Sequence, residues 1–309
     1  MPDDTYDIAV IGAGITGLTA AHHAVLGGHS VVNISDTELW GGLVANVGAL
    51  EGYPSAQPSS GLDLALALYT ANTERGVEFA AEGVTSIERR GAGFVIQGTE
   101  QAWTARAVIA ASGAGLKMLD VPGAHELVGK GVSQCAWCDG GLYKGADVVV
   151  VGGGDAALEE ALHLAEMCNT VTIVTRGERL KARAAYVQRA ADIDGIRFRW
   201  ASEIEAVLGS AGVEGVRLMD RASGKSEELA CRAVFVFIGL APQSDYLGGL
   251  VERGSDGAIL TDAAMAAATP GLFAAGAVRS GYGGRLTHAV GEATAAALAA
   301  SAYLERLEP

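Results

Sequence analysis

Two cysteines separated by two residues are the feature of this sequence that most directly suggests chemistry. Cys135 and Cys138 lie within disulfide reach of each other across one turn of chain. If a helix begins there, its N–H groups lower the pKa of the first thiol and make it reactive. Asp139 follows the pair directly and can carry protons while the disulfide opens and closes.

Two other roles for this pair stay open: a zinc knuckle, or two inert core thiols. Zinc sites usually combine two ligand pairs, and the sequence contains no second CxxC and no HxxxH pattern. The other two of the four cysteines, Cys168 and Cys231, are isolated. The pattern therefore favours a redox pair, and we predict no metal ligands.

A glycine-rich loop near the N-terminus has the form that binds a dinucleotide. Gly12, Gly14 and Gly17 follow a predicted buried strand over residues 7–11 and precede a predicted helix over residues 18–26. The first glycine allows the turn, the second lets a pyrophosphate approach the backbone, and the third lets the helix pack on the strand. The helix N-terminus then offers its N–H groups to the phosphates.

A second loop of this kind decides the architecture. It reads GGGDAA from Gly152, after a predicted strand over residues 147–151 and before a predicted helix over residues 158–167. The alternative is that one loop is only a tight turn between strand and helix. Because both contexts match, we predict two nucleotide-binding units on one chain.

Length and composition agree with two folded domains and exclude several classes of partner. The chain has 309 residues, half of them hydrophobic, so it is not intrinsically disordered. Its net charge of −14 argues against nucleic-acid binding and against anionic membrane surfaces. No stretch is apolar enough to cross a bilayer, and the acidic N-terminal residues 1–4 lack the basic region of a signal peptide. We therefore expect a cytoplasmic protein.

Other segments have simpler patterns. Strand-rich stretches are predicted over residues 77–96 and 106–111, and residues 113–131 resemble a linker. A further strand is predicted at residues 233–239 and leads into a Gly-Leu-Ala-Pro turn. Another short strand is predicted at residues 272–276. An alanine-rich helix is predicted over residues 288–304.

The order of motifs resembles the low-molecular-weight thioredoxin reductases and their flavin disulfide-reductase relatives. The matching segments are GAGITG, CAWCDG, GGGDAALEEA, VFVFIGLAP and TPGLFAAGAV, and the resemblance runs from about Tyr6 to Leu304. It implies an α/β fold of two Rossmann-like (three-layer ββα) dinucleotide-binding domains, the second inserted into the first. A split FAD-binding domain would comprise residues 1–115 and 241–309. An NAD(P)H-binding domain carrying the CxxC would comprise residues 116–240.

The resemblance also implies roles for individual residues and a homodimer. Cys138 would face the flavin, Cys135 would meet an outside disulfide, and Asp139 would be the acid and base. The predicted FAD-binding residues are Gly12, Gly14, Gly17, Ser35, Gly41, Gly42, Gly276 and Ala277. The predicted NADPH-binding residues are Gly152, Gly154, Asp155, Ala156, Arg176 and Lys181.

NADPH is favoured over NADH by the residues after the strand that follows the second loop. An NAD site would carry an acidic residue there for the ribose hydroxyls, and this chain has Thr175 and Arg176. At these positions the family signature is His-Arg-Arg, with another Arg four residues further on. This chain has Thr175-Arg176-Gly177 there, with Lys181 further on. Arg176 and Lys181 can clamp a 2′-phosphate. The alternative is that both are solvent-facing basic residues.

Several positions depart from the family around the flavin and the cysteines. Ala277 replaces the Asp that holds the ribityl chain, so we expect weaker FAD binding. Other departures near the flavin are Leu43, Gly52, and Arg285 to Thr287 with His288 after them. Where the family docks its protein partner, this chain has Lys130, Gly141 and Leu142. Trp137 is either a contact for a small or apolar substrate or a packing residue over the disulfide.

Three functions follow from these patterns. The first is an NADPH-dependent flavoprotein that reduces a thioredoxin-like protein or a small disulfide, favoured by the intact second loop and by Glu159-Glu160. The second is a dithiol oxidase that closes a disulfide in a small molecule and passes electrons to O₂, favoured by the lost flavin contacts. The third is a non-catalytic redox-sensing binding protein, suggested only by Ala277.

Overall fold

A computed structural model describes residues 5–37, 40–54 and 60–307. The acidic residues 1–4, which contributed to the predicted location, lie outside these ranges. The chain forms two compact units: Met1–Gly115 with Ala241–Pro309, and Leu116–Leu240.

The first unit begins with a βαβ arrangement and continues mainly as strands. Its elements up to the boundary are β1 (Thr5–Ile11), α1 (Ile15–Leu26), β2 (Val31–Ser35), α2 (Gly61–Glu74), β3 (Glu78–Ala81), β4 (Val84–Arg90), β5 (Gly93–Gly98), β6 (Ala102–Ala110) and β7 (Ala114–Leu116). A 3₁₀ turn covers Gly42–Asn46. A capping box formed by Ser60 and Asp63 begins α2.

The second unit carries the cysteine pair and the second glycine loop. Its elements are β8 (Val132–Ser133), α3 (Ala136–Asp139), β9 (Asp147–Val151), α4 (Asp155–Ala165), β10 (Thr170–Val174), α5 (Ala184–Ala191), β11 (Ile196–Arg199), β12 (Ser202–Leu208), β13 (Gly215–Asp220), β14 (Ser226–Ala230) and β15 (Ala233–Val236). A 3₁₀ turn, Gly140–Tyr143, follows α3.

The chain then completes the first unit. The remaining elements are β16 (Leu240–Pro242), 3₁₀ turns at Asp245–Leu250 and Gly276–Val278, β17 (Leu272–Ala274) and α6 (Leu286–Glu305). The predicted turn Gly-Leu-Ala-Pro is partly wrong, because Leu240–Pro242 is a strand that pairs with β7.

Each unit is built on a parallel sheet. In the first the order is β3-β2-β1-β6-β5-β4, with β17 also beside β6; β4 and β5 run antiparallel. In the second the order is β11-β10-β9-β15-β8, with all described pairs parallel, and β12 to β14 form a separate antiparallel sheet. The predicted α/β, Rossmann-like fold class is confirmed. The antiparallel sheet β12–β14 was not predicted.

Small side chains explain how the last helix packs in the first unit. Buried alanines of α6, among them Ala293, Ala296 and Ala300, lie in one core with Ala20 and Ala24 of α1. Alanine lets two helix backbones approach closely, so a chain with few aromatic residues still builds a dense core. The helix is slightly longer than the sequence pattern predicted.

Residues 113–131 are not a loose linker. Ala124 and Leu127 are buried in one core of the second unit, and Met118 and Val121 pack against it. A glycine-rich composition therefore misled the prediction: Gly123 takes a positive φ so that the chain can pass close to Val207 of β12. Within the described residues, no helix is both long and apolar enough to span a membrane.

Candidate active site

The two cysteines of the CxxC pair are joined in a disulfide at the start of a short helix. Cys135 is the N-cap of α3, and the backbone N–H of Cys138 donates to Cys135 Sγ over 3.1 Å. The predicted disulfide reach and helix start are therefore confirmed. In the described residues no cluster of His, Cys, Asp or Glu is arranged to hold a metal ion.

Asp139 is held by a serine that the sequence analysis did not single out. The hydroxyl of Ser133 donates to Asp139 Oδ2 over 2.6 Å and accepts the backbone N–H of Cys135 over 3.1 Å. Ser133 lies in β8, which pairs with β15, so the sheet positions the acid beside the disulfide. The signal in the sequence was only a Ser two residues before the first cysteine.

Glu160 reaches the same short helix from α4. Its Oε2 accepts the backbone N–H of Ala136 over 2.6 Å. Burial raises the pKa of Glu160 to about 7, against the stabilising effect of the backbone amides of Ala136 and Trp137. The sequence analysis noted Glu159-Glu160 without assigning either side chain a position.

Trp137 packs on α4 and keeps an open surface. Its ring stacks on His163 with 3.6 Å between centroids, and the side chain is 45% exposed. Burial lowers the pKa of His163, so the neutral ring predominates near neutral pH. The stack accounts for the packing interpretation, while the exposed part leaves room for the substrate-contact interpretation.

The second glycine loop has the close approaches that the fingerprint requires. Gly152 has a φ of +147°, and a Cβ there would lie 2.3 Å from the carbonyl oxygen of Phe237. Gly154 is the N-cap of α4, and a Cβ there would meet nothing within 4 Å. The helix N-terminus has no side-chain cap, which leaves open space and N–H donors in front of Asp155 and Ala156.

The predicted 2′-phosphate residues lie beside this loop. The backbone N–H of Lys181 donates to the carbonyl of Gly153 over 2.7 Å, and Arg176 follows the end of β10 with an exposed side chain. Arg221, which was not predicted, donates to the carbonyl of Arg176 over 3.1 Å. A contact of the Arg176 and Lys181 side chains with a 2′-phosphate stays a prediction.

Asp155 has a partner within the protein. Its Oδ2 pairs with Arg183 Nε over 2.9 Å, and its Oδ1 accepts the backbone N–H of Arg183. This carboxylate therefore ties the start of α5 to the start of α4. A direct contact between the Asp155 side chain and a nucleotide stays a prediction.

The first glycine loop is equally close-packed. A Cβ on Gly12 would lie 2.5 Å from the carbonyl oxygen of Ala111, and a Cβ on Gly17 would lie 1.8 Å from that of Gly12. Asn33 supports the loop from β2: its Nδ2 donates to the carbonyls of Val10 and Gly12. A polar residue inside an apolar strand was the available signal for Asn33. Ser35 is buried at the end of the same strand.

The other glycines predicted for FAD come together at this loop. Gly14 forms an isolated bridge with Gly41, and a Cβ on Gly42 would lie 3.1 Å from the Cα of Gly14. Gly276 has a φ of +75°, and a Cβ there would lie 2.4 Å from Thr16 Oγ1. Ala277 follows in the same 3₁₀ turn, so the structure places three segments, the first glycine loop, Gly41-Gly42 and Gly276-Ala277, around one helix start.

A buried ion pair supports the turn that contains Ala277. Glu292 Oε2 accepts the N–H of Gly276 over 2.8 Å, and Glu292 Oε1 pairs with Arg279 Nη1 over 3.0 Å. Both side chains are only 13% exposed. The sequence analysis missed this pair, because Glu292 lies in an alanine-rich helix.

Two of the departures near the flavin, His288 and Leu43, have different surroundings. His288 lies against Gly283, where a Cβ would come within 2.4 Å of its ring, and its ring meets Tyr282 edge-on. Leu43 is 46% exposed in the 3₁₀ turn after Gly41. The sequence leaves two roles open for His288, a polar group near the flavin or a residue at a helix start, and its position in the first turn of α6 agrees with the second.

Both glycine loops fit a dinucleotide. Each combines glycines that no larger residue can replace with a helix whose first N–H groups have no side-chain cap. Such a site binds a pyrophosphate through backbone donors and the helix dipole. The residues of the first unit fit FAD, and those of the second fit NADPH.

Comparisons with known proteins agree with this geometry. The sequence model of the pyridine nucleotide-disulphide oxidoreductase family matches residues 6–296 of this chain. The chain is 38% identical to the thioredoxin reductase of Treponema pallidum and 34% identical to that of Bacillus subtilis. These matches cover 98% of this chain in each case, and 98% and 96% of the two relatives.

A solved structure extends the likeness to the whole fold. The thioredoxin reductase of Lactococcus lactis in its FR conformation is 32% identical, with a TM-score of 0.95, over 98% of this chain and 100% of that one. The resemblance inferred from the motifs is confirmed. With its paired cysteines and two nucleotide loops, this chain belongs to the pyridine nucleotide-disulphide oxidoreductase family.

Proposed function

We propose that this chain is an FAD-dependent disulfide reductase of the thioredoxin reductase type, which uses NADPH to reduce a thioredoxin-like protein. The observation that carries the proposal is the Cys135–Cys138 disulfide at the start of α3, in the unit that holds the second nucleotide loop. Full-length similarity to thioredoxin reductases supports the choice of substrate class.

The protein's contribution to binding is mostly backbone. Gly12, Gly14 and Gly17 would hold the FAD pyrophosphate, and Gly152 and Gly154 that of NADPH, with Arg176 and Lys181 at the 2′-phosphate. When bound, NADPH supplies a hydride and FAD supplies a carrier that accepts two electrons and delivers them to a disulfide.

The cysteines then exchange disulfides with the substrate. In the reduced state a thiolate of the pair attacks one substrate sulfur, the substrate disulfide breaks, and its leaving thiolate takes a proton. The second cysteine attacks the mixed disulfide, releases the dithiol product and restores the Cys135–Cys138 bond. Asp139, held by Ser133, is positioned to hold the proton that moves in these steps.

Which cysteine meets the substrate is a separate part of the proposal. The family resemblance assigns that role to Cys135 and the flavin-facing role to Cys138. Cys138 is the more exposed of the two here, and Cys135 is half-buried. Trapping distinguishes them: Cys138→Ser should leave Cys135 able to form a stable mixed disulfide with a thioredoxin-like protein, and Cys168→Ser should serve as the control with normal turnover. Full disulfide-exchange activity in both Cys135→Ser and Cys138→Ser would exclude the assignment.

The finer features of the proposal come from the family resemblance. They are a homodimer in solution and a thioredoxin-like protein rather than a small disulfide as substrate. A cytoplasmic location is proposed from the composition and the lack of an apolar stretch long enough to cross a bilayer. The net charge of −14 supports an assignment without nucleic acid or an anionic membrane as partner.

A dithiol oxidase is the second candidate, and Ala277 favours it because a ribityl contact of the family is missing. Anaerobic titration of the purified flavoprotein with NADPH separates the two. Rapid bleaching of the flavin absorption band is expected for the reductase. No bleaching, together with O₂ consumption when a dithiol is added, would replace the proposal with the oxidase.

A further inference from the structure

The backbone amides at the start of α3 are divided between three acceptors in an unusual way. The N–H of Cys135 donates to Ser133 Oγ, and that of Cys138 donates to Cys135 Sγ. Of the two amides between them, that of Ala136 donates to Glu160 Oε2 over 2.6 Å, and that of Trp137 also stabilises the charged form of this carboxylate. A side chain from another helix therefore occupies the donors that lie between the two cysteines.

This arrangement opposes the usual effect of a helix start on a cysteine. Amides at a helix N-terminus stabilise a thiolate and lower its pKa. Here the Glu160 carboxylate takes the N–H of Ala136, the residue directly after Cys135, and brings a negative charge to the start of the helix. When Glu160 is charged, a thiolate at Cys135 faces a like charge; when Glu160 is protonated, it does not.

The surroundings of Glu160 do not neutralise it. On its own helix, Glu159 pairs with Arg183 and also raises the pKa of Glu160, while His163 pairs with exposed Glu166. The other titratable groups near α3 are Asp139, held by Ser133, and Tyr143. Burial and the charge of Asp139 raise the pKa of Tyr143, and the charge of Arg232 lowers it. Among the described residues, no salt bridge includes the Glu160 carboxylate, and burial raises its pKa to about 7.

We propose that Glu160 is a positioning residue that links proton uptake to reduction of the Cys135–Cys138 disulfide. Its carboxylate holds α3 through the amides of Ala136 and Trp137, and its charge disfavours the thiolate form of the reduced pair. The proposal rests on the proposed function, because it describes how this chain tunes its own redox pair.

The chemistry balances without a further reactant. Reduction breaks the S–S bond and takes two electrons, which come from NADPH in the proposed reaction or from dithiothreitol in the test. The reduced pair then takes two protons as a dithiol, or one as a thiol and a thiolate. A charged Glu160 keeps the uptake near two protons to higher pH, because its negative charge disfavours the thiolate and so keeps both thiols protonated.

The test measures the dithiol–disulfide equilibrium of the purified flavoprotein in dithiothreitol buffers between about pH 6 and pH 8. Alkylation followed by peptide mass spectrometry counts Cys135 and Cys138 separately from Cys168 and Cys231. Glu160→Gln keeps an oxygen that accepts the Ala136 N–H and removes the charge. Glu166→Gln is the control, with the same charge change at the exposed C-cap of α4.

We expect Glu160→Gln to favour the reduced pair by about tenfold at the upper pH, equivalent to about 30 mV for a two-electron couple. The difference should shrink towards the lower pH, where the wild-type carboxylate is protonated. The alkylation-rate profile of Cys135 should move to lower pH by about one unit, and Glu160→Asp, which keeps the charge, should move both measurements back towards wild type.

Equal potentials for Glu160→Gln and wild type at the upper pH, or an equal shift in Glu166→Gln, would overturn the inference. If Glu160→Gln does not fold, the wild-type protein still decides: fewer than two protons taken up per disulfide near neutral pH contradicts the link. Failure of the proposed function is distinguishable, because it appears as a pair that NADPH cannot reduce, whereas this equilibrium is set with dithiothreitol.

Discussion

At the scale of single residues, two carboxylates near one disulfide have different environments and therefore different roles. Asp139 lies in the same short helix as the cysteines and accepts a hydrogen bond from a hydroxyl, which suits a group that exchanges protons. Glu160 lies on the neighbouring helix and is bound by backbone amides, which suits a group that holds position. Their sequence context alone does not distinguish these roles.

Arg176 is the residue on which cofactor preference depends. Arg176→Ala removes one charge-assisted contact to the 2′-phosphate, worth about 1.5–3 kcal/mol or roughly 10–150-fold in binding. We expect the KM for NADPH to rise by that factor and the KM for NADH to stay nearly unchanged. Arg217→Ala is the matched control, because it removes an arginine of β13 that is paired with Glu228 of β14. Equal use of both cofactors by the unmutated enzyme would contradict this prediction.

Ala277 sets how tightly FAD is held. The missing hydrogen bond to a charged acceptor is worth about 1.5–3 kcal/mol, too little to abolish binding if the loop contacts survive. We expect the purified protein to lose part of its FAD on dialysis, and Ala277→Asp to tighten binding by about tenfold or more. The flavin-to-protein absorbance ratio after dialysis measures this. Full retention by the unmutated protein, unchanged in Ala277→Asp, would show that another group makes the contact.

At the scale of elements, helix α4 connects the two halves of the site in the second unit. It begins at the second glycine loop, and its sixth residue, Glu160, accepts the backbone N–H of Ala136 in the cysteine helix. Trp137 stacks on the same helix at His163. One element therefore positions both the nucleotide loop and the disulfide, which explains why the two motifs occur in this order.

The first βα turn tolerates no side chain at its third glycine, Gly17. Gly17→Ala places a Cβ against the carbonyl oxygen of Gly12, a backbone atom that cannot move aside. We expect a loss of stability of about 1–3 kcal/mol and loss of bound FAD. Gly291→Ala is the control: it lies in α6 with nothing within 4 Å of the new Cβ, and should gain about 0.5–1 kcal/mol. Urea unfolding and the flavin absorbance ratio test both, and normal FAD content in Gly17→Ala would refute the expectation.

At the scale of the whole molecule, the two units differ in continuity. Leu116–Leu240 is one uninterrupted segment with its own parallel sheet and two buried clusters. The first unit is completed only when the chain returns, because β17 pairs with β6 and α6 packs on α1. The inserted second unit therefore divides the first unit into two segments of chain, while the second unit itself is continuous in sequence.

Continuity predicts independent folding of the second unit. A fragment of residues 116–240 should unfold cooperatively, retain the Cys135–Cys138 disulfide and contain no flavin. A fragment of residues 1–115 should not fold, because it lacks β17 and α6. Thermal unfolding followed by circular dichroism, with mass spectrometry of the disulfide, tests both. A fragment 116–240 without a cooperative transition would contradict the prediction.

What the sequence by itself determined is local. The two glycine loops, the CxxC pair and the strands and helices beside them depend on residues a few positions apart, so their spacing predicted them, with ends within a few residues. The family resemblance supplied the division into units and the roles of the cysteines.

What only the tertiary structure decided is contact between residues far apart in the sequence. Glu160 reaches the amide of Ala136, Glu292 reaches that of Gly276, and Asn33 reaches the carbonyl of Gly12. A glutamate in a helix pattern looks like a solvent-facing charge until packing turns it towards a buried amide. The reason is physical: hydrophobic spacing determines which face of an element is buried, but the partner of a polar group depends on how separate elements pack.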